Sequence, residues 1–152
     1  MTRKERAMAL FESGYNCSQS VILAFSDLVG IDEKTLARIG SSFGGGMGRL
    51  REVCGAVTGM FTIAGLLYGY DDANEGEKKA EHYARIQQLA KSFSDENGSI
   101  ICRELLGLDR KTDEPVPEKR TAEYYQKRPC GEFVGNAAEI LEEFIEKSGK
   151  LQ

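Results

Sequence analysis

Four cysteines are the residues of this chain best suited to chemistry. They stand far apart in the sequence, at Cys17, Cys54, Cys102 and Cys130. A deprotonated cysteine is both a nucleophile and a metal ligand. The set therefore predicts either thiol–disulfide exchange or the binding of a metal centre, provided that the fold brings the sulfur atoms together.

Cys54 is the first candidate for a reactive thiol. It follows the glycine-rich run Gly44-Gly45-Gly46-Met47-Gly48-Arg49 and begins the segment Cys54-Gly55-Ala56-Val57-Thr58-Gly59. The first turn of a helix presents unpaired N–H groups and the positive end of the helix dipole, which stabilise a thiolate. We therefore expect the helix start to favour ionisation of Cys54.

Arginines near two of the cysteines strengthen this expectation. Arg49 and Arg51 precede Cys54, and Arg128 precedes Cys130. A guanidinium group beside a sulfur atom favours its ionised form. The glycines of the preceding run lack a Cβ, so a ligand can approach the backbone closely there. The predicted cofactor-binding residues are Gly44, Gly45, Gly46 and Arg49.

Size and composition predict one mostly helical domain that covers residues 1–152. The chain has 152 residues, is 41% hydrophobic and 29% charged, and contains 3 prolines. These are ordinary values for a single globular unit. The net charge of −4 comes without a block of basic residues, so nucleic acid is not an expected partner.

Hydrophobic periodicity and capping residues predict an all-α bundle of about five to seven helices. The predicted helices cover about 3–13, 16–29, a short stretch after Asp32, the uncharged segment 53–70, 73–93, 99–106 and 130–147. The glycine-rich run should interrupt regular structure, and residues 107–120 should form a surface loop. Asp71 and Asp72 are expected to cap the helix that follows them, and His82 to lie on that helix's surface.

The segment from Val53 to Tyr70 contains no charged residue and is rich in glycine and alanine. Such a segment fits either a membrane span or the buried central helix of a soluble bundle. It is short and stands alone in a polar chain, so we predict the buried helix and no membrane partner. Its glycines at four-residue spacing also make a homodimer a prediction.

An alternating course of the helices would gather the cysteines at one end of the bundle. The helix after Cys17 runs away from that end, and the short helix with the glycine-rich run returns to it. The helix after Cys54 runs away again, the long helix returns to deliver Cys102, and the last helix starts at Cys130. The sequence therefore predicts that all four thiols lie at one pole.

The N-terminus predicts a cytoplasmic protein. Glu12 and Ser13 arrive before any apolar stretch of signal-peptide length develops. Permanent disulfides are rare in the cytoplasm, where groups of cysteines more often bind metal or take part in catalysis.

The order of these residues resembles that of one known family. Phe43-Gly44-Gly45-Gly46, then Cys54-Gly55-Ala56-x-x-Gly59, with single cysteines before and after, is similar to the family named for its C_GCAxxG_C_C pattern. The resemblance runs from Gly14-Tyr15-Asn16-Cys17-Ser18 to Cys130-Gly131-Glu132-Phe133. It implies a redox-active protein, a description inferred in that family from the four cysteines. Some members are selenoproteins, which implies thiol–selenol chemistry at the matching positions.

Some relatives of this family are labelled as resembling split-Soret cytochromes, which carry haem and an iron–sulfur centre. This chain has no Cys-x-x-Cys-His sequence, and His82 is its one histidine. The sequence therefore does not support haem attachment.

Three interpretations of the cysteines stay open. In the first, Cys54 exchanges a disulfide with Cys17 or Cys130, with Cys102 as the fourth catalytic candidate, and the electron donor or thiol substrate is unknown. In the second, the same four residues hold an iron–sulfur cluster or, with less support because close cysteine pairs are missing, zinc. In the third, the cysteines are small hydrophobic core residues.

Overall fold

Helices build the fold, as the periodicity predicts. The computed structural model describes residues 1–109 and 112–149. Its helices are α1 (Arg3–Glu12), α2 (Cys17–Ala24), α3 (Glu33–Gly40), α4 (Gly55–Tyr68), α5 (Gly76–Asn97), α6 (Cys102–Leu105), α7 (Ala122–Lys127) and α8 (Cys130–Lys147). Within the described ranges, the one strand-type pairing is an isolated antiparallel bridge between Val53 and Ile101. The all-α prediction is confirmed.

Side-chain caps fix where the first three helices begin. Thr2 and Asn16 each form a capping box, and an Asp32 carboxylate oxygen accepts a hydrogen bond from the Thr35 N–H. These contacts satisfy backbone donors that the first helical turn leaves unpaired. The cap at Asn16 makes Cys17 the first residue of α2.

Helix α4 is the buried central helix that the uncharged segment predicts. A Cβ on Gly59 would lie 2.7 Å from the Ser18 carbonyl oxygen, and one on Gly55 would lie 3.0 Å from the Cys17 Cβ. These glycines therefore allow α4 to pack directly against α2. Among the described residues, no helix is long and apolar enough to cross a membrane.

Contacts along the helices show their relative directions. Gly55 and Gly59 meet successive residues of α2, so α2 and α4 run in parallel. The opposite order holds for α8 and α1, because Gly131 lies against Phe11 whereas Gly135 lies against Met8. The starts of α2 and α4 therefore share one end of the bundle.

Helix α5 differs from its predicted form. It begins at Gly76 rather than near residue 73, and Asp72 instead accepts a hydrogen bond from the Asn74 N–H in a turn before the helix. His82 was predicted to be a surface residue, and this was wrong: it is 8% exposed and faces the core side of α5, whereas Tyr83 is 50% exposed. The inward stripe therefore begins one residue earlier than the sequence predicts.

One further boundary was also wrong. Helix α2 ends at Ala24 and a 3₁₀ turn, Ser26–Leu28, takes the place of its predicted last turn. The surface loop predicted over 107–120 is confirmed for its described residues, 107–109 and 112–120, which form no helix or strand and are mostly exposed, and four of them line the cavity described next.

Candidate functional site

A cavity of about 390 Å³ lies at the end of the bundle where α2, α4, α6 and α8 begin. All the residues predicted for the site line it. They are Cys17, Cys54, Cys102, Cys130, Gly44, Gly45, Gly46 and Arg49. The structure thus brings the four cysteines to one cavity, while their catalytic and binding roles stay predictions.

Backbone hydrogen bonds hold two of the cysteines in neighbouring positions. The Cys54 N–H donates to the Ile100 carbonyl oxygen at 2.8 Å, and the Cys102 N–H donates to the Glu52 carbonyl oxygen at 2.6 Å. Both bonds join the segment before α4 to the segment before α6. The isolated bridge between Val53 and Ile101 therefore sets the placement of Cys54 and Cys102.

The glycine turn, residues 44–49, forms the cavity wall beside them. Gly45 through Arg49 all have φ angles between 66° and 69°. The Gly48 N–H donates to the Gly44 carbonyl oxygen at 2.9 Å, so the turn is helical but left-handed. Consecutive left-handed residues are rare because the Cβ of an L-residue approaches the following carbonyl oxygen. Regular right-handed structure lapses here, as predicted, and glycine supplies most of the turn.

Replacing Gly46 with alanine is expected to destabilise the fold. A Cβ at this position would lie 2.6 Å from the Cys102 Cβ and 2.9 Å from the Arg51 Cα, on a residue whose φ is +69°. Backbone strain and overpacking together cost about 2–4 kcal/mol. The free energy of unfolding in urea measures this loss.

Gly65→Ala is the matched control for that substitution. Gly65 lies in α4, and no atom lies within 4 Å of an added Cβ. Alanine in a helix interior is more stabilising than glycine by about 0.5–1 kcal/mol, so this variant should have a higher free energy of unfolding than the wild type. Equal unfolding free energies for the two variants would contradict the close approach at Gly46.

Cys17 and Cys130 form a directly interacting pair of sulfurs. A hydrogen bond from the Cys17 thiol stabilises the Cys130 thiolate and lowers the pKa of Cys130, with the positive charges of Arg128, Arg51 and Arg120 acting in the same direction against burial. The same hydrogen bond, followed by burial, raises the pKa of Cys17 well above its ordinary value. The pair therefore contains one thiolate that forms readily and one thiol that keeps its proton.

Cys54 behaves differently from its prediction as the readily ionised thiol. Burial raises its pKa to about 12, although the N–H groups of Ala56 and Val57 in the first turn of α4 act in the opposite direction. Cys54 is 6% exposed. The helix start does favour the thiolate, but the loss of water outweighs that effect.

Two opposing effects act on the pKa of Cys102. Burial raises its pKa, and the Arg51 guanidinium opposes the rise through a contact of 3.6 Å from Nη1 to the sulfur. Arg51 is itself held by Asp113, whose carboxylate oxygen lies 2.8 Å from the Arg51 Nε. Arg51, which was predicted to act on Cys54, therefore contacts Cys102 instead.

Two further residues, Arg120 and Tyr124, line the site. The Arg120 guanidinium lies 4.1 Å from the ring centre of Phe11 and 5.8 Å from that of Tyr124. Burial, followed by the charges of the two paired cysteines, raises the pKa of Tyr124 to about 12, so its hydroxyl keeps its proton. The adjacent Tyr124 and Tyr125 were noticeable as an aromatic pair, but Arg120 is one of many charged residues in its segment.

The described side chains do not form a ready-made metal site. No group of three or more histidine, cysteine, aspartate or glutamate side chains in residues 1–109 and 112–149 is arranged to hold a metal ion. The four cysteines line one cavity, but three or more of them do not form such a group. Iron–sulfur and zinc binding therefore stay predictions.

Comparison with known proteins agrees with the arrangement of the cysteines. No curated protein and no solved structure matches the chain. The name of the matching family writes its central motif as Gly-Cys-Ala-x-x-Gly, whereas this chain has Cys54-Gly55-Ala56-x-x-Gly59. The family model nevertheless matches residues 15–144, which include all four cysteines and the glycine turn. The chain therefore belongs to the family described as "Putative redox-active protein (C_GCAxxG_C_C)".

Proposed function

We propose that this protein carries out thiol–disulfide exchange, with Cys130 as the attacking thiolate and Cys17 as its disulfide partner. The observation that carries the proposal is that Cys17 and Cys130, the first residues of α2 and α8, line the same cavity and influence each other strongly, with the pKa of Cys130 lowered and that of Cys17 raised. Exchange needs one thiolate that attacks and a second thiol close enough to close the protein disulfide. The mutual effect of Cys17 and Cys130 on their pKa values supports this pairing, and both residues line the cavity.

The exchange proceeds in two displacements. The Cys130 thiolate attacks one sulfur of a substrate disulfide, so a mixed disulfide forms at Cys130 and the other half leaves as a thiolate. Cys17 then loses its proton to solvent or to the departing thiolate and attacks the Cys130 sulfur. The substrate disulfide is thereby reduced to two thiols, and the protein gains the disulfide Cys17–Cys130.

The other two cysteines, Cys54 and Cys102, are less suited to the exchange. Cys54 is buried with a pKa of about 12, so it carries almost no thiolate at neutral pH. Cys102 is 7% exposed. The proposed pair is therefore Cys17 with Cys130, whereas the sequence favoured an exchange that began at Cys54. Such exchange suits the cytoplasmic location that the sequence predicts, where thiol pools keep dithiols reduced.

Disulfide mapping tests the proposal. The reduced native protein is treated with one equivalent of diamide, the remaining thiols are alkylated after unfolding, and the peptides are identified by mass spectrometry. We expect the Cys17–Cys130 disulfide as the main product. Cys17→Ser and Cys130→Ser should each abolish it, whereas the matched variants Cys54→Ser and Cys102→Ser should retain it.

Two results would contradict the exchange. One is a main disulfide that contains Cys54 while Cys17 and Cys130 are recovered alkylated. The other is iron and sulfide bound in whole-number amounts after anaerobic purification, with a visible absorption band that Cys54→Ser abolishes. That second result would favour the iron–sulfur interpretation instead.

A further inference from the structure

The cavity in front of the cysteine pair carries positive charge, although the chain as a whole has a net charge of −4. Its described lining contains four arginines and one carboxylate. These residues are Arg49, Arg51, Arg120, Arg128 and Glu118. A concave site lined by one sign of charge concentrates ligands of the opposite sign. The charge of this cavity is therefore opposite to that of the whole protein.

Arg120 contributes a charge that no carboxylate in the described residues balances. Its two terminal nitrogens donate hydrogen bonds to the carbonyl oxygens of Phe11 and Tyr15. Its remaining contacts are with the rings of Phe11 and Tyr124. Neutral partners fix the guanidinium in place and leave its charge to act on the cavity.

The other arginines are only partly balanced. Arg128 forms an ion pair of 2.6 Å with Glu118. Arg51 and Arg49 share the carboxylate of Asp113, at 2.8 Å and 4.0 Å respectively. One carboxylate between two guanidinium groups leaves an excess of positive charge on the side of the glycine turn.

The cavity is also large enough, and apolar enough, for an organic molecule. Its volume of about 390 Å³ falls in the range of small-molecule sites. Phe11, Leu105, Pro115, Tyr124 and Phe133 supply apolar surface around the charged groups. The cavity lies between the bundle end and the 112–120 segment, so groups from both contribute to its lining.

We propose that the cavity binds a low-molecular-weight anionic disulfide, whose carboxylates are held by Arg49, Arg120 and Arg128 while its S–S bond faces Cys130 and Cys17. This inference rests on the proposed thiol–disulfide exchange and names its substrate class. The reaction consumes one disulfide and yields two anionic thiols. Two electrons pass from the cysteine pair to the substrate, one proton comes from Cys17 and one from solvent, and a dithiol reductant must later restore the pair.

Rates with three disulfides of different charge test the substrate class. The probes are glutathione disulfide, which is anionic, bis(2-hydroxyethyl) disulfide, which is uncharged, and cystamine, which is cationic. The formation of the Cys17–Cys130 disulfide is followed by acid quenching and mass spectrometry at low ionic strength. Each rate constant is divided by that of the same probe with 2-mercaptoethanol, which corrects for intrinsic reactivity.

We expect the corrected rate for the anionic probe to exceed that for the cationic probe by about tenfold or more. Raising the salt concentration to about 0.5 M should shrink this difference, because salt screens the attraction. Arg49→Gln removes a guanidinium that is not among the charges lowering the pKa of Cys130. It should lower the ratio of anionic to uncharged rates by about threefold, and the matched control Arg38→Gln, on the exposed side of α3, should not.

The possible failures are distinguishable. Equal corrected rates for the three probes, with the protein disulfide formed in each case, would overturn the anionic substrate and leave the exchange standing. A lack of the protein disulfide with all three probes would overturn the exchange itself. The wild-type salt dependence decides the matter even if Arg49→Gln fails to fold.

Discussion

Replacing Cys130 with serine is expected to slow alkylation of the native protein by iodoacetamide about 100-fold at pH 7. The thiolate is the reacting species, and Cys130 is the cysteine whose pKa is lowered. At pH 7 a thiol with the pKa of about 12 found at Cys54 is ionised to about one part in 10⁵. The rate is measured by rapid mixing, acid quenching and peptide mass spectrometry.

The pH profile gives this prediction a second, independent measurement. Cys130 alkylation should reach half its maximum below pH 9.0, the ordinary thiol value, because the native pKa is lowered. A second ionisation, above pH 9.0, belongs to the pair as a whole and corresponds to the raised pKa of Cys17. The alkylation of Cys130 should therefore slow as the pH falls through its lowered pKa.

Two substitutions of Cys17 separate the hydrogen bond from the arginines. Cys17→Ser keeps a donor beside the Cys130 sulfur, whereas Cys17→Ala removes it. Since that hydrogen bond is the largest influence on the pKa of Cys130, the alanine variant should shift the midpoint to higher pH than the serine variant. Cys54→Ser is the control and should leave the rate of Cys130 alkylation unchanged. Preferential alkylation of Cys54 in the native protein would refute the assignment.

The sequence was sufficient to predict the gathering of the cysteines, because it depends on local features. Capping by Asn16, the end of the uncharged helix near Tyr70 and the start of α8 at Cys130 set the lengths of successive helices. Once those lengths are known, alternating directions bring the helix starts together. The spacing of Gly55 and Gly59 similarly indicated a buried helix, because two helices can pack closely only where the residues between them lack side chains.

The ranking of the cysteines could not be predicted, because it depends on burial. Cys54 and Cys130 both stand at helix starts with arginines nearby in the sequence. Their pKa values shift in opposite directions because Cys54 loses water without a partner that compensates, whereas Cys130 gains a donor from Cys17. That donor lies on a helix more than 100 residues away in the sequence. Arg120 escaped prediction for the same reason, since its partners Phe11 and Tyr15 belong to the start of the chain.

Replacing Asp113 with asparagine should destabilise the protein by about 3 kcal/mol, because it leaves the Arg51 guanidinium buried without its counter-ion. The side chains of Arg51 and Asp113 are 5% and 8% exposed, and the Nε and Oδ2 atoms lie 2.8 Å apart. The Asp113 N–H also donates to the Arg49 carbonyl oxygen at 3.0 Å. The residue therefore joins the 112–120 segment to the glycine turn by both charge and backbone.

Asp95→Asn is the matched control for the free energy of unfolding in urea. Asp95 forms an ion pair of 2.6 Å with Lys91 on α5, but their side chains are 62% and 75% exposed. Water screens such a pair, so its loss should change stability by less than about 1 kcal/mol. The contrast between the two variants isolates the effect of burial on the same chemical change.

The alkylation rate of Cys102 distinguishes an electrostatic role of Asp113 from a purely structural one, because only the electrostatic role would change it. Arg51 lowers the pKa of Cys102 against the effect of burial, and the Asp113 carboxylate neutralises part of that positive charge. Removal of the carboxylate should therefore lower the pKa of Cys102 and increase its rate of alkylation in Asp113→Asn protein kept below its unfolding midpoint. An unfolding free energy within 1 kcal/mol of wild type, together with an unchanged Cys102 rate, would show that the Arg51–Asp113 pair does not control this wall of the cavity. The expected increase would instead make the 112–120 segment an electrostatic part of the thiol site.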